Sequence, residues 1–103
     1  MSIADLDPVI HAPKRLGAMA MLDSTHDVEF GYLRDHLGIS DSDLSKQMAA
    51  LEKAKYIRIK KIGHGRSGST TFRITRAGSK ALKKHLTALN NLVGDAATIS
   101  TNS

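Results

Sequence analysis

Two runs of alternating residues, Tyr56-Ile-Arg-Ile-Lys60 and Thr71-Phe-Arg-Ile74, flank Gly63-His-Gly-Arg-Ser-Gly68, which has three glycines in six residues. Period-two alternation sends successive side chains to opposite faces of a strand. Two such runs around a glycine-rich loop read as a β-hairpin. Ile57, Ile59, Phe72 and Ile74 then face inward, and Arg58, Lys60 and Arg73 face outward. An isolated hairpin is marginal in water, so its apolar face needs a cover. The rest of the chain offers mainly helical patterns for that purpose, and the expected class is α+β, mostly α.

Residues 3–10 alternate loosely between apolar and acidic. Pro13 suits a first helical turn, where its missing N–H costs nothing. Leu16, Met19, Ala20 and Leu22 then keep helical spacing, which predicts a helix over about 12–22. Asp23-Ser-Thr-His-Asp27 is turn-like, and Val28-Glu29-Phe30 fits either a very short strand or a lead into the next helix. Phe30, Leu33 and Leu37 predict a helix over about 30–37, stopped by Gly38 in the left-handed conformation. Ser40 is the next N-cap, with Asp43 completing a weak capping box and Ile39 and Leu44 placed as a hydrophobic staple. That helix is expected to run to about Ala54. Thr75 caps a last helix through about Val93, and Gly94 ends it. The expected domain is 1–94, with the last helix over about 75–93 and a small, polar, disordered tail at 95–103.

This order of elements is that of a winged helix-turn-helix with a C-terminal dimerisation helix. The Gly38-Ile39-Ser40 turn is short enough to set its flanking helices at a steep angle. The helix after the turn would enter a DNA major groove, with the hairpin along the phosphates. In projection Leu44, Met48 and Leu51 share one side of that helix, and Ser42, Ser45, Lys46, Ala49 and Lys53 the other. Short and basic residues suit a helix pressed into a groove: serines bond bases or phosphates, Lys46 reaches a guanine edge or a phosphate, and Ala49 admits a thymine methyl. Gln47, on the flank, is within reach of an adenine edge. Asp41 and Asp43 favour the helix dipole but would repel phosphates nearby. In the hairpin Lys60, Lys61, Arg66, Ser67 and Arg73 are candidate phosphate contacts, with Arg66 also suited to a narrow minor groove. His64 beside them would make binding pH-sensitive.

Charge supports the same face. From Lys46 to Lys84 there are 12 basic residues against Glu52 alone, and elsewhere three basic residues against nine acidic ones, although the net charge is only +5. Such segregation makes a one-sided field that concentrates a polyanion. The 103 residues suffice for one domain, leaving no room for a separate sensor domain. With no cysteine, thiolate metal sites and cysteine nucleophiles are excluded. No nucleophile elbow, P-loop or paired-His metal helix occurs, so no enzyme, metal or cofactor is expected. The five histidines, at 11, 26, 36, 64 and 85, are scattered, and nothing in the sequence pairs His11 with His85. No apolar run is long enough to span a membrane, and the acidic N-terminus is unlike a secretory signal, so a cytoplasmic protein is expected.

Four segments, Asp7-Pro-Val-Ile-His-Ala-Pro-Lys-Arg-Leu16, Phe30-Gly-Tyr-Leu-Arg-Asp-His-Leu-Gly38, Leu44-Ser-Lys-Gln-Met-Ala-Ala-Leu-Glu52 and Thr70-Thr-Phe-Arg-Ile-Thr-Arg-Ala-Gly78, resemble the small stand-alone winged-helix regulators related to the MarR and ArsR families. The resemblance covers about residues 5–93. It implies homodimers that bind operator DNA, usually as repressors, with Ser45, Lys46 and Gln47 on the recognition helix and Arg66 in the wing. Two positions depart from the family pattern. Lys55 stands where such proteins usually have glycine, so it must take up the helix-ending geometry or the helix runs on. Arg76 stands where proline is common.

The last helix carries two apolar stripes, Leu82, Leu86, Leu89 and Val93 beside Ala81, Ala88 and Leu92, more than one winged domain easily buries. Leu82, Leu86, Leu89, Leu92 and Val93, with Ile3, Leu6, Val9 and Ile10, are therefore expected at a two-fold interface. Two recognition helices about one DNA turn apart would call for an inverted-repeat site. The expected partners are double-stranded DNA and a second copy of the chain, with no effector identified. The competing readings are a winged-helix module for RNA or for a protein partner, and the scarcity of aromatic residues weighs against base stacking on single strands.

Overall fold

The structure is a computed structural model that describes residues 3–63 and 68–102. A 3-10 turn at Ile3–Asp5 leads into a one-turn helix α1, Pro8–His11. Asp7 caps α1, its Oδ1 accepting from the Val9 and Ile10 N–H groups, and Pro8 sits in the first helical turn. Helix α2, Pro13–Ser24, follows, with Pro13 in its first turn as expected. Strand β1, Val28–Glu29, then runs straight into helix α3, Phe30–Leu37, so both openings read at Val28-Glu29-Phe30 are realised. Helix α4 is Asp41–Lys53, strands β2 and β3 are Ile57–Ile62 and Ser69–Ile74, and helix α5 is Arg76–Asn102.

The sheet is antiparallel, in the order β1-β3-β2. Ile59 lies opposite Phe72, Ile57 opposite Ile74, and Val28 opposite Phe72 on the other edge. This register puts every apolar member of the hairpin pattern on one face. Phe72 and Ile57 are buried, Ile59 and Ile74 pack beside them, and α2, α3 and α4 supply Met19, Leu22, Leu33, Leu44, Met48 and Leu51 to the same core. The strands are longer than the alternation alone suggested, because Ile62 and Ser69 still pair at the open end.

The helix ends are set by backbone chemistry. Gly38 adopts φ 66°, ψ 38° after α3, and its N–H reaches the Arg34 carbonyl. Ser40 caps α4, accepting from the Asp43 N–H at 3.1 Å. After α4, Lys55 has φ 66°. Its N–H donates to the Glu52 carbonyl and the Tyr56 N–H to the Leu51 carbonyl, the paired bonds of a glycine-type helix stop made with a lysine. Thr75 caps α5, its Oγ1 accepting from the Gly78 N–H and donating to the Lys55 carbonyl.

The last helix differs from expectation at its far end. It passes through Gly94 and continues to Asn102, so Gly94 is not its stop. Glycine in a helix interior costs about 1 kcal/mol relative to alanine but breaks no hydrogen bond, and no proline follows it.

Candidate nucleic-acid interface

Helix α4 turns Leu44, Met48 and Leu51 into the core and leaves Ser42, Ser45, Lys46, Ala49 and Lys53 exposed on the far side. The turn from α3 to α4 is held by the left-handed Gly38 and the Ser40 cap. The outcome is a helix with a short, basic outer face, presented by a short helix and a tight turn.

The two acids at the start of α4 are each matched to a base. Arg34 on α3 donates through Nη1 to Asp41 at 2.8 Å and through Nε to Asp35 at 3.0 Å. Its two carboxylate partners raise its pKa. Lys14 at the start of α2 pairs with Asp43. The Gln47 amide first and Lys14 second hold the Asp43 carboxyl below the usual carboxylate range. Both acids keep their favourable position at the helix N-terminus, while these partners offset their charge.

Gln47 lies on the flank of α4, as expected, but its amide is already engaged within the chain. It lies half-buried on the flank of α4 toward α2, its Oε1 accepting from Arg15 Nη1 at 2.8 Å and its Nε2 donating to Asp43 at 2.9 Å. This arrangement turns the amide toward α2 and Asp43: Gln47 sits on the same side of α4 as Asp43, four residues back.

In the hairpin Lys60 and Lys61 are exposed. Arg73 is exposed too, but it is held by Asp27, with Nε to Oδ1 at 2.9 Å and Nη2 to Oδ2 at 3.1 Å. This pairing keeps the Asp27 carboxyl below its ordinary range. Arg73 is thus a structural partner of the α2–β1 loop. His64, Arg66 and Ser67 lie outside the described residues.

The residues expected at a two-fold separate into two groups. Ile10 and Leu82 are buried in the chain's own core and have no surface for a partner. Leu6, Val9, Leu89 and Leu92 are half-buried, while Ile3, Leu86 and Val93 are exposed, at 74%, 43% and 59%. The inward stripe of α5 includes one polar residue, His85, fully buried between Leu82 and Ala88. His85 Nδ1 accepts from the Asp7 backbone N–H at 3.0 Å, and its Nε2 faces His11 Nδ1 at 3.4 Å. The fold therefore pairs the two histidines, contrary to expectation. A neutral ring that accepts at Nδ1 carries its proton on Nε2, so its Nε2 lone pair is not offered to a metal. Among the described residues no group of three or more His, Cys, Asp or Glu side chains is assembled to hold a metal ion.

Asp7 has a role that the sequence did not announce. It caps α1, its backbone N–H meets His85, and its Oδ2 accepts from the Tyr56 hydroxyl at 2.6 Å. The hydrogen bond to Asp7, with burial, pushes the Tyr56 phenol up to about 12. The signal was Asp7-Pro8, an N-cap residue followed by proline in the first helical position. Lys14 and Arg15 were likewise missed, since they lie outside the basic block.

Among the described residues no helix is long and apolar enough to cross a membrane. No curated protein matches the sequence. Solved structures do match in fold. A transcriptional regulator homologue protein from Pyrococcus horikoshii OT3 superposes with TM-score 0.79 at 22% identity, covering 85% of this chain and 87% of that one. A candidate MarR-family transcriptional regulator from Enterococcus faecalis V583 gives 0.70 at 20%, covering 92% and 84%. NolR from Sinorhizobium fredii gives 0.63 at 22%, covering 84% and 78%. At the level of sequence, residues 14–93 match the winged helix DNA-binding domain family. That span holds the turn, the basic face of α4 and the three-stranded sheet, and the chain belongs to that family.

Proposed function

We propose that the protein is a sequence-specific regulator of transcription that binds double-stranded DNA as a homodimer, places α4 in the major groove and represses at an inverted-repeat operator. The observation that carries this reading is the outer face of α4, where Ser42, Ser45, Lys46, Ala49 and Lys53 are exposed and the two N-terminal acids are matched by Arg34 and Lys14. Lys60 and Lys61 on the hairpin would add phosphate contacts beside that face, and His64, Arg66 and Ser67, which lie outside the described residues, are further candidates. Repression follows the resemblance to regulators that usually act so, and such a protein works in the cytoplasm.

Homodimerisation is supported by the exposed Leu86 and Val93 on α5, which flank a groove that also takes in Thr87, Leu89 and Asn90. A second copy burying this stripe would make a two-fold assembly that carries two copies of α4.

The test is selection of bound duplexes from a random pool, followed by binding of the selected duplex across salt concentrations. The expected result is a steep linear fall of log affinity with log salt and a clear preference over the same sequence as single-stranded DNA or RNA. A flat salt response, or equal binding of RNA, would contradict the proposal and favour the RNA or protein-partner alternative.

A further inference from the structure

Four side chains outside the exposed face of α4 form one connected unit. Arg15, half-buried on α2, donates through Nε to the Val9 carbonyl at 2.5 Å and through Nη1 to Gln47 Oε1 at 2.8 Å. Gln47 Nε2 donates to Asp43 Oδ1 at 2.9 Å, and Asp43 Oδ2 accepts from Lys14. The amide has one possible orientation here. Arginine only donates, so it must face the amide oxygen, and the carboxylate only accepts, so it must face the amide nitrogen.

We propose that Arg15 is a positioning residue for DNA readout: acting through Gln47, it fixes the rotation of the recognition helix about its own axis. This deepens the DNA-binding reading above and rests on it.

Leu44, Met48 and Leu51 hold α4 to the core by close packing, whose individual contacts have no strong direction. Hydrogen bonds, being directional, set the rotation of the helix more sharply. A rotation of about 20° moves a side chain roughly 6 Å from the helix axis by about 2 Å. That displacement is several times the spread of about 0.5 Å in good hydrogen-bond lengths. It would break the Arg15–Gln47 and Lys14–Asp43 bonds between α2 and α4 on one side of α4 and misplace Ser42, Lys46 and Ala49 on the other. The same guanidinium also grips the Val9 carbonyl, so the N-terminal segment and the recognition helix share one anchor.

Two substitutions test this, with a duplex selected by the wild-type protein and a scrambled duplex of equal length as probes. Arg15→Lys keeps the charge but cannot donate in fork geometry to both Val9 and Gln47. Gln47→Met keeps the volume and removes both amide bonds. Each is expected to lower affinity for the selected duplex about fivefold to tenfold while leaving the scrambled duplex and the salt slope unchanged. The double variant should lose no more than either single one, because the two residues act as a unit. Circular-dichroism melting shows that each variant is folded, and Gln47→Met, on a helix flank, serves if Arg15→Lys does not fold.

Wild-type affinity for the selected duplex by Arg15→Lys together with Gln47→Met would overturn the inference while leaving the DNA-binding reading intact. Equal losses on both duplexes would overturn it, as would additive losses in the double variant or a loss confined to one base position in Gln47→Met. If the wild-type protein itself shows no preference for duplex DNA, it is the function proposed above that fails.

Discussion

At the scale of single residues, two positions carry chemistry that their identity alone does not announce. Lys55 takes the left-handed conformation that ends α4, with φ 66°. For a residue with a Cβ this costs roughly 1–2 kcal/mol, which glycine avoids. Lys55→Gly is expected to stabilise the protein by about 1 kcal/mol, offset in part by the greater freedom of glycine in the unfolded chain. For a domain of this size a gain of that order raises Tm by about 4–8 °C, measurable by thermal melting. No change, or a fall, would show that the lysine side chain contributes at that site.

His85 is the second position. Burial first, then the neighbouring His11, lowers its pKa below the ordinary 6.5, opposed by the Asp7 carboxylate. The unfolded chain therefore takes up a proton at a pH where the folded chain does not. Stability is complete above about pH 6.5 and falls as pH drops below it, toward the lowered folded value. A protonated ring would also set an N–H against the Asp7 N–H, loosening the N-terminal segment from α5. Urea midpoints should fall between pH 7 and pH 5 in the wild-type protein. In His85→Gln, which keeps an acceptor but does not titrate, the fall should be much smaller. Equal falls in both would assign the effect to another group.

At the scale of elements, close approach decides the junction between the hairpin and α5. A Cβ on Gly78 would lie 2.0 Å from the Tyr56 carbonyl oxygen, a backbone atom that cannot swing aside. Gly78→Ala is therefore expected to cost at least about 2 kcal/mol, seen as a lower urea midpoint, even though alanine favours helices. An unchanged midpoint would mean that the start of α5 shifts freely. Local signals of this kind explain what was legible in the sequence. Gly38, Ser40 and Thr75 act within a few residues of themselves, and the alternation of Ile57, Ile59, Phe72 and Ile74 reports one buried face; all four features appear as read. Pairings that depend on distant segments were not legible: Arg15 with Gln47, Arg73 with Asp27, and Asp7 with both His85 and Tyr56. The same limit explains why Ile10 and Leu82 were expected at an interface. An apolar stripe shows that a face is covered, not whether the cover is the same chain.

At the scale of the whole molecule, the dimensions are 59 × 25 × 20 Å, with α5 the longest element. The inward side of α5 packs on the core through Leu82, His85 and Ala88, and Leu86 and Val93 remain exposed. If a second copy covers them, as proposed, Leu86→Glu with Val93→Glu should shift sedimentation from dimer to monomer while leaving the helical circular-dichroism signal in place. A wild-type monomer at micromolar concentration would contradict the two-fold.

If the outer face of α4 reads DNA sequence, as proposed, Lys46 is the residue to change, being exposed there and forming no ion pair like that of Lys14 among the described residues. The measurement is the affinity of Lys46→Ala for the duplex selected by the wild-type protein and for a scrambled duplex, at one fixed salt concentration. The expected result is a loss of about tenfold or more on the selected duplex and a much smaller one on the scrambled duplex. Equal losses on the two, or none on either, would contradict it.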